Sequence, residues 1–142
     1  MDRTSEDMIN MMLKQKGAAK VKSIPTYVNT VKFVISKNLK LVYIYEIEKN
    51  DGIYLQRVKP YPLMIGKLYS PDDVIDFIER DVEKFRDAFE SENFPKLIVL
   101  ANQANSLERK FEKMFLNESL RSEKIKKLEK AIEEVERIVD EE

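Results

Sequence analysis

The sequence predicts an α+β fold: an N-terminal helix, an antiparallel meander of three or four strands, a covering helix, and a long C-terminal helix or helical hairpin with coiled-coil-like heptads. Three observations predict it. Alternating apolar residues run from Val31 to Lys59, a helix-start signal stands at Ser70-Pro71, and residues 96–142 contain no Gly or Pro. A chain of 142 residues suits one core. We expect a small α+β head over residues 1–94 and a helical self-association segment over residues 95–142.

The first predicted element is a short helix near the N-terminus. Thr4 and Ser5 are typical N-cap residues, and Gly17 is a typical helix stop. A helix of about three turns is marginal alone in water, so we expect it to dock on another surface. Pro25 then favours an extended or looped connection to the sheet.

Turn residues divide the next stretch into strands. Lys37-Asn38 predicts a two-residue hairpin turn between strands at 31–36 and 39–48. Asn50-Asp51-Gly52 predicts a second turn, followed by a strand at 53–59, and residues 63–65 fit a short fourth strand. Apolar residues lie on both faces of this meander, so we expect a helix or another subunit to cover the second face.

Ser70-Pro71-Asp72-Asp73 predicts the start of the covering helix. Ser70 is suited to cap it, Pro71 to its first position, and the two acids to the positive end of the helix dipole. Apolar residues at helical spacing continue to Phe89, and the helix is expected to end near Ser91. Pro95 is expected to begin the next helix.

The C-terminal segment carries apolar residues at alternating spacings of three and four. This pattern predicts a coiled-coil seam and, by it, a homodimer. Glu118 and Arg121 interrupt the apolar run without changing its register, whereas Asn117 and Ser119 or Ser122 favour a break and an antiparallel hairpin. Both alternatives remain open at this stage. The predicted self-association residues are Leu107, Phe111, Met114, Ile125, Leu128, Ile132, Val135 and Val139.

Lysines accumulate in the first third of the chain, with no acidic residue between Asp7 and Glu46. Lysines beside sheet tyrosines are typical of surfaces that bind single-stranded nucleic acid, and an acidic protein partner would exploit the same charge. The absence of Arg from this span argues against base reading. The residues predicted for nucleic-acid or acidic-partner contact are Lys14, Lys16, Lys20, Lys22, Lys32, Lys37, Lys40, Tyr43, Tyr45, Arg57 and Lys59.

Composition excludes several functional classes. Without Cys or His the chain lacks the commonest nucleophile, general base and metal ligands, and no Gly-rich phosphate loop is present. We therefore expect no enzyme activity, no cofactor and no metal. We also expect no membrane contact and a cytoplasmic location, because there is no apolar run of membrane-spanning length and no secretory signal. The favoured function is a non-catalytic binding or regulatory protein that self-associates and contacts another protein. The alternative is a nucleic-acid accessory protein that uses the basic span at 14–40.

Overall fold

The computed structural model describes residues 3–49, 52–117 and 121–141. It confirms the α+β class, with one helix before a four-stranded antiparallel sheet and helices after it. The strands follow chain order across the sheet, so the expected meander is present. The elements are α1 (Arg3–Gln15), β1 (Val28–Ser36), β2 (Leu39–Ile47), β3 (Ile53–Lys59), β4 (Leu63–Leu68), α2 (Pro71–Phe89), α3 (Phe94–Asn117) and α4 (Ser122–Val139).

Helix α1 begins earlier than its predicted caps. Thr4 and Ser5 lie inside the helix rather than at its start. The predicted stop is confirmed, because Gly17 follows the last turn with a φ of 105°, a value that favours glycine. The amide of Ala18 donates to the carbonyl of Leu13 and closes the helix end.

A β-bulge sets which face of β1 meets the core. The Lys37-Asn38 turn pairs Ser36 with Leu39, as expected, but Val34 then pairs with Lys40, so Ile35 is an extra residue in β1. The remaining residues of β1 shift by one position. Phe33 therefore pairs with Leu41, and both lie on the same face of the sheet. The second predicted turn contains Asn50 and Asp51, which lie outside the described residues.

Helix α2 covers one face of the sheet and begins as predicted. The amide of Asp73 donates to the Ser70 side chain at 3.1 Å, and Pro71 occupies the first turn. The core lies between α2 and the sheet, and Phe94 at the start of α3 also contributes to it. The buried apolar residues are Leu39, Leu41, Tyr43, Ile53, Leu55, Val74, Ile78, Val82, Phe85 and Phe94.

The C-terminal segment is not one continuous helix. Helix α3 ends at Asn117, and Arg121 is extended with φ −80° and ψ 138°, immediately before α4 begins. An extended residue cannot continue the helical hydrogen-bond ladder, so the single long helix is excluded at this position. Glu118, which was expected to keep the seam in register, lies outside the described residues.

Candidate functional site

An open groove lies between α2 and the β1–β2 half of the sheet. We call it the β1–α2 groove. It has a volume of about 610 Å³, within the range of protein binding sites. Its floor is formed by side chains of the first three strands, and its wall by one side of α2. The principal lining residues are Val31, Phe33, Tyr45, Ile47, Val74 and Ile78.

The groove exists because α2 covers only part of this sheet face. Helix α2 contacts β3, and its buried residues face the centre of the sheet. Strand β1 is an edge strand, so no further strand bounds the groove on that side. Ile47 and Ile75 are 55% and 59% exposed, and both line the groove. An apolar surface of this kind is typical of a site that receives another apolar surface.

Charged residues form the α2 rim of the groove. Glu79, Glu83 and Arg86 are exposed and line it beside the apolar wall. Asp72 and Asp76 extend the acidic character of α2 towards its N-terminus. The rim is therefore mostly negative, with one positive residue near the C-terminal end of the helix.

A buried polar cluster joins α2 to the sheet beneath the groove. The Tyr43 hydroxyl donates to Asp81 Oδ2 at 2.5 Å, and Arg57 Nε donates to the same oxygen at 3.0 Å. The guanidinium carbon of Arg57 lies 4.8 Å from the ring centre of Tyr61 and 4.7 Å from that of Phe85. Arg57 Nη1 is buried without a hydrogen-bond partner in the described part of the chain. The cluster therefore connects α2 to the sheet, and removal of either charged residue would leave the other as an unpaired buried charge.

Burial of Tyr43 makes its protonation depend on folding. Burial, followed by the hydrogen bond to Asp81, raises the pKa of the Tyr43 hydroxyl above its ordinary value of 10.0. Above about pH 10 the folded state therefore holds a proton that the unfolded chain has released, so stability falls as pH rises, by up to about 1.4 kcal/mol per pH unit.

Replacing Tyr43 with Phe tests this linkage. At about pH 8 we expect Tyr43→Phe to be less stable than the original chain by about 1.5–3 kcal/mol, because a hydrogen bond to a charged group is lost. Between about pH 9 and pH 11 this difference in the free energy of unfolding is expected to shrink by about 1.4 kcal/mol, because only the original chain loses stability as Tyr43 ionises in the unfolded state. Urea unfolding across this pH range measures it. Tyr27 is 87% exposed, so Tyr27→Phe is the control and is expected to show neither the gap nor the trend.

The predicted self-association residues lie at the surface of α3 and α4 or are half-buried there. Phe111, Met114, Ile125 and Leu128, the four nearest the break between the helices, are half-buried. The others are more exposed: Leu107, Ile132, Val135 and Val139. The structure therefore leaves the side chains of the second group exposed, whereas those of the four residues beside the break are already partly covered.

The predicted basic and aromatic contact residues are distributed over several surfaces. Tyr43 and Arg57 are buried in the polar cluster, and Tyr45 lies in the β1–α2 groove. The register places Lys32 and Lys40 on the sheet face away from α2. The remaining predicted contact residues are exposed, at the end of α1, in the connection to β1, in the first hairpin and at the end of β3: Lys14, Lys16, Lys20, Lys22, Lys37 and Lys59.

Asp81 is the site residue that sequence reasoning missed. No role was predicted for Asp81, and the two acids expected at the start of α2, Asp72 and Asp73, are exposed. Asp81 instead lies among Ile78, Val82 and Phe85, on the buried side of the helix. An acid inside an apolar stripe at helical spacing signals a buried partner, and the basic residue at Arg57 was its natural counterpart.

Two further properties bear on the chemistry of the described residues. They contain no group of three or more Asp and Glu residues arranged to hold a metal ion. In residues 3–49, 52–117 and 121–141, none of the helices has the length and apolarity needed to cross a bilayer.

Comparison with known proteins adds no relative: no family model, no curated protein and no solved structure matches this chain.

Proposed function

We propose that this chain is a non-catalytic binding or regulatory protein that self-associates through its C-terminal helices and acts through protein–protein contacts. The supporting observation is the apolar stripe of α4, formed by Ile125, Leu128, Ile132, Val135 and Val139. No described residue of α4 is buried, and Val139 is 74% exposed.

Helix α4 needs a partner for this stripe. Most helix stability in proteins comes from packing an apolar face, so the 18 residues of α4 lack this source of stability while the stripe stays exposed. Burying each Leu, Ile or Val side chain contributes about 1.5–3 kcal/mol. A second α4 offers a matching surface along the whole stripe.

The other side of α4 has charge pairs of its own. Arg137 forms ion pairs with Glu134 on the same helix and with Glu141 just beyond the C-terminal end of the helix. Exposed pairs of this kind contribute little to stability, so they do not replace packing of the apolar stripe. One seam position holds Ile125, Ile132 and Val139, and the other holds Leu128 and Val135. This pattern resembles the preference of parallel two-stranded coiled coils. The proposed assembly is therefore a homodimer.

Charge introduced into the stripe tests the proposal. We expect Leu128→Glu with Ile132→Glu to convert a dimer into a monomer. The double substitution removes four buried side chains per dimer, worth about 6 kcal/mol or more, which weakens association by roughly 10⁴-fold. Glu is a good helix former, so the helix itself is retained. Light scattering after size-exclusion chromatography, at several protein concentrations, measures the mass.

Lys127→Gln with Lys130→Gln is the matched control. It changes the net charge by the same amount, at positions outside the stripe. We expect the control to keep the mass of the original chain. If the stripe variant also keeps that mass, α4 is not an intermolecular contact and the proposal fails.

Nucleic-acid binding through the basic span remains the alternative proposal. Lys32 and Lys40 share the open sheet face with Tyr54, which gives this alternative a surface. Phosphate binding by several lysines weakens steeply with salt, because condensed counterions are released. Absence of binding to single-stranded oligonucleotides at low salt would remove it.

A further inference from the structure

We propose that the β1–α2 groove receives helix α1 of a second copy of this chain. This contact is separate from the one proposed for α4, and we expect it to be the weaker of the two. Covalent cross-linking captures it, whereas by itself it does not hold a dimer together during size-exclusion chromatography, so each contact is testable without the other.

Helix α1 presents an apolar face that is exposed in the described part of the chain. Met8, Met11 and Met12 lie at the i, i+3 and i+4 positions by which an amphipathic helix binds a groove. All three are exposed, as are Ile9 and Leu13, and no described residue of α1 is buried. Methionine side chains adapt readily to an irregular apolar surface. A helix of 13 residues with such a face needs a surface to pack on.

The groove offers a surface of matching character. It is apolar along its floor and wall, and Ile47 and Ile75 project at its open side. No residue of α1 lines it. Several Met side chains entering together would cover the apolar residues that α2 leaves open.

The charges of the two surfaces are complementary. The rim of the groove carries Glu79 and Glu83, whereas Lys14 lies in the last turn of α1 and Lys16 follows the helix. The positive residue of the rim is Arg86, in the last turn of α2. Helix α1 begins at Arg3 and carries its two acids, Glu6 and Asp7, near this start, so its first turns are negative on balance. Antiparallel docking therefore brings unlike charges together at both ends.

In the described part of its own chain α1 does not line the groove, and for this reason we take a second copy as the source of the helix. The Asn10 side-chain amide donates to Ser23 Oγ at 3.1 Å, which holds α1 against its own connection to β1. Two copies that exchange α1 bury the same surfaces reciprocally, and such an exchange closes as a two-fold pair.

Cross-linking of single-cysteine variants tests the docking, since the chain has no native Cys. Full-length Met12→Cys is mixed with full-length Ile75→Cys carrying a C-terminal affinity tag, and a short bismaleimide joins thiols that are close together. Both variants also carry Leu128→Glu and Ile132→Glu, so that α4 contacts do not contribute. Met64→Cys replaces Ile75→Cys in the control, because Met64 is 74% exposed on the sheet face away from α2.

We expect the Met12→Cys and Ile75→Cys mixture to give cross-linked dimers in several-fold greater yield than the Met64→Cys control. Lys14→Glu with Lys16→Glu is expected to lower that yield roughly two- to fivefold, and Glu79→Lys with Glu83→Lys on the other chain to restore it. Equal yields with the control overturn the proposal. A cross-link that forms only within a chain carrying both cysteines, leaving it monomeric, also overturns it, because α1 then docks on its own groove.

Discussion

Asp81→Ala is expected to destabilise the folded chain by about 3–5 kcal/mol, the usual cost of removing one partner from a buried ion pair. Asp81 accepts hydrogen bonds from both Tyr43 and Arg57. Its loss leaves the Arg57 guanidinium as an unpaired charge between the rings of Tyr61 and Phe85, with Nη1 already lacking a partner in the described residues. Urea unfolding at neutral pH and one fixed protein concentration measures the change.

Two comparison variants separate the cost of leaving Arg57 unpaired from any effect of replacing an acid in α2 with Ala. Asp76→Ala removes an exposed acid from the same helix and is expected to change stability by no more than about 0.5 kcal/mol. Tyr43→Phe, Arg57→Met and Asp81→Leu together replace the cluster with apolar groups, and this variant is expected to recover most of the lost stability. A cost below about 1 kcal/mol for Asp81→Ala would contradict the buried cluster.

Leu41→Ala is expected to cost about 2–5 kcal/mol. Leu41 is fully buried at the centre of the sheet, where it pairs with Phe33 across the β1–β2 ladder. Truncation removes buried apolar surface and leaves a cavity that β2, hydrogen-bonded on both sides, cannot close. The midpoint of urea unfolding is the measurement.

Leu116→Ala is the control for this truncation. Leu116 is 75% exposed on α3 and lies outside the predicted seam, so the same change in side chain should leave stability within about 0.5 kcal/mol. Equal losses for the two variants would show that Leu41 does not lie in the core.

Local signals were sufficient where one short stretch determines the structure. Ser70 and Pro71 predicted the start of α2 because capping depends only on neighbouring residues, and the Ser70 bond to Asp73 is present. Gly17 and the Lys37-Asn38 turn were predicted for the same reason. The four strands and their order also follow from turns between apolar runs.

The face of β1 could not be predicted from that turn. The two-residue hairpin implied that Val31 and Phe33 share a face with Val42 and Ile44. The bulge at Ile35 shifts the register by one, so they lie instead with Leu41 and Tyr43. The extra residue lets both strands turn apolar side chains towards α2. This burial of apolar side chains depends on how the whole sheet packs against α2, so no local residue pattern predicts the bulge.

In the C-terminal segment the local capping signal was correct, and the long-range apolar periodicity was misleading. The apolar register from Leu97 to Val139 was consistent with one helix, yet Arg121 is extended. The helix-capping residue types at 117–122 carried the competing signal, and periodicity alone could not decide between them. Whether the two helices use one continuous seam in the assembly stays a prediction.

The native mass of the unmodified full-length chain tests the central claim most directly. Sedimentation equilibrium at physiological salt, over a wide range of protein concentration, is expected to give twice the chain mass of 16.7 kDa at the higher concentrations. A single mass of 16.7 kDa across the whole range would contradict self-association and, with it, the proposed function.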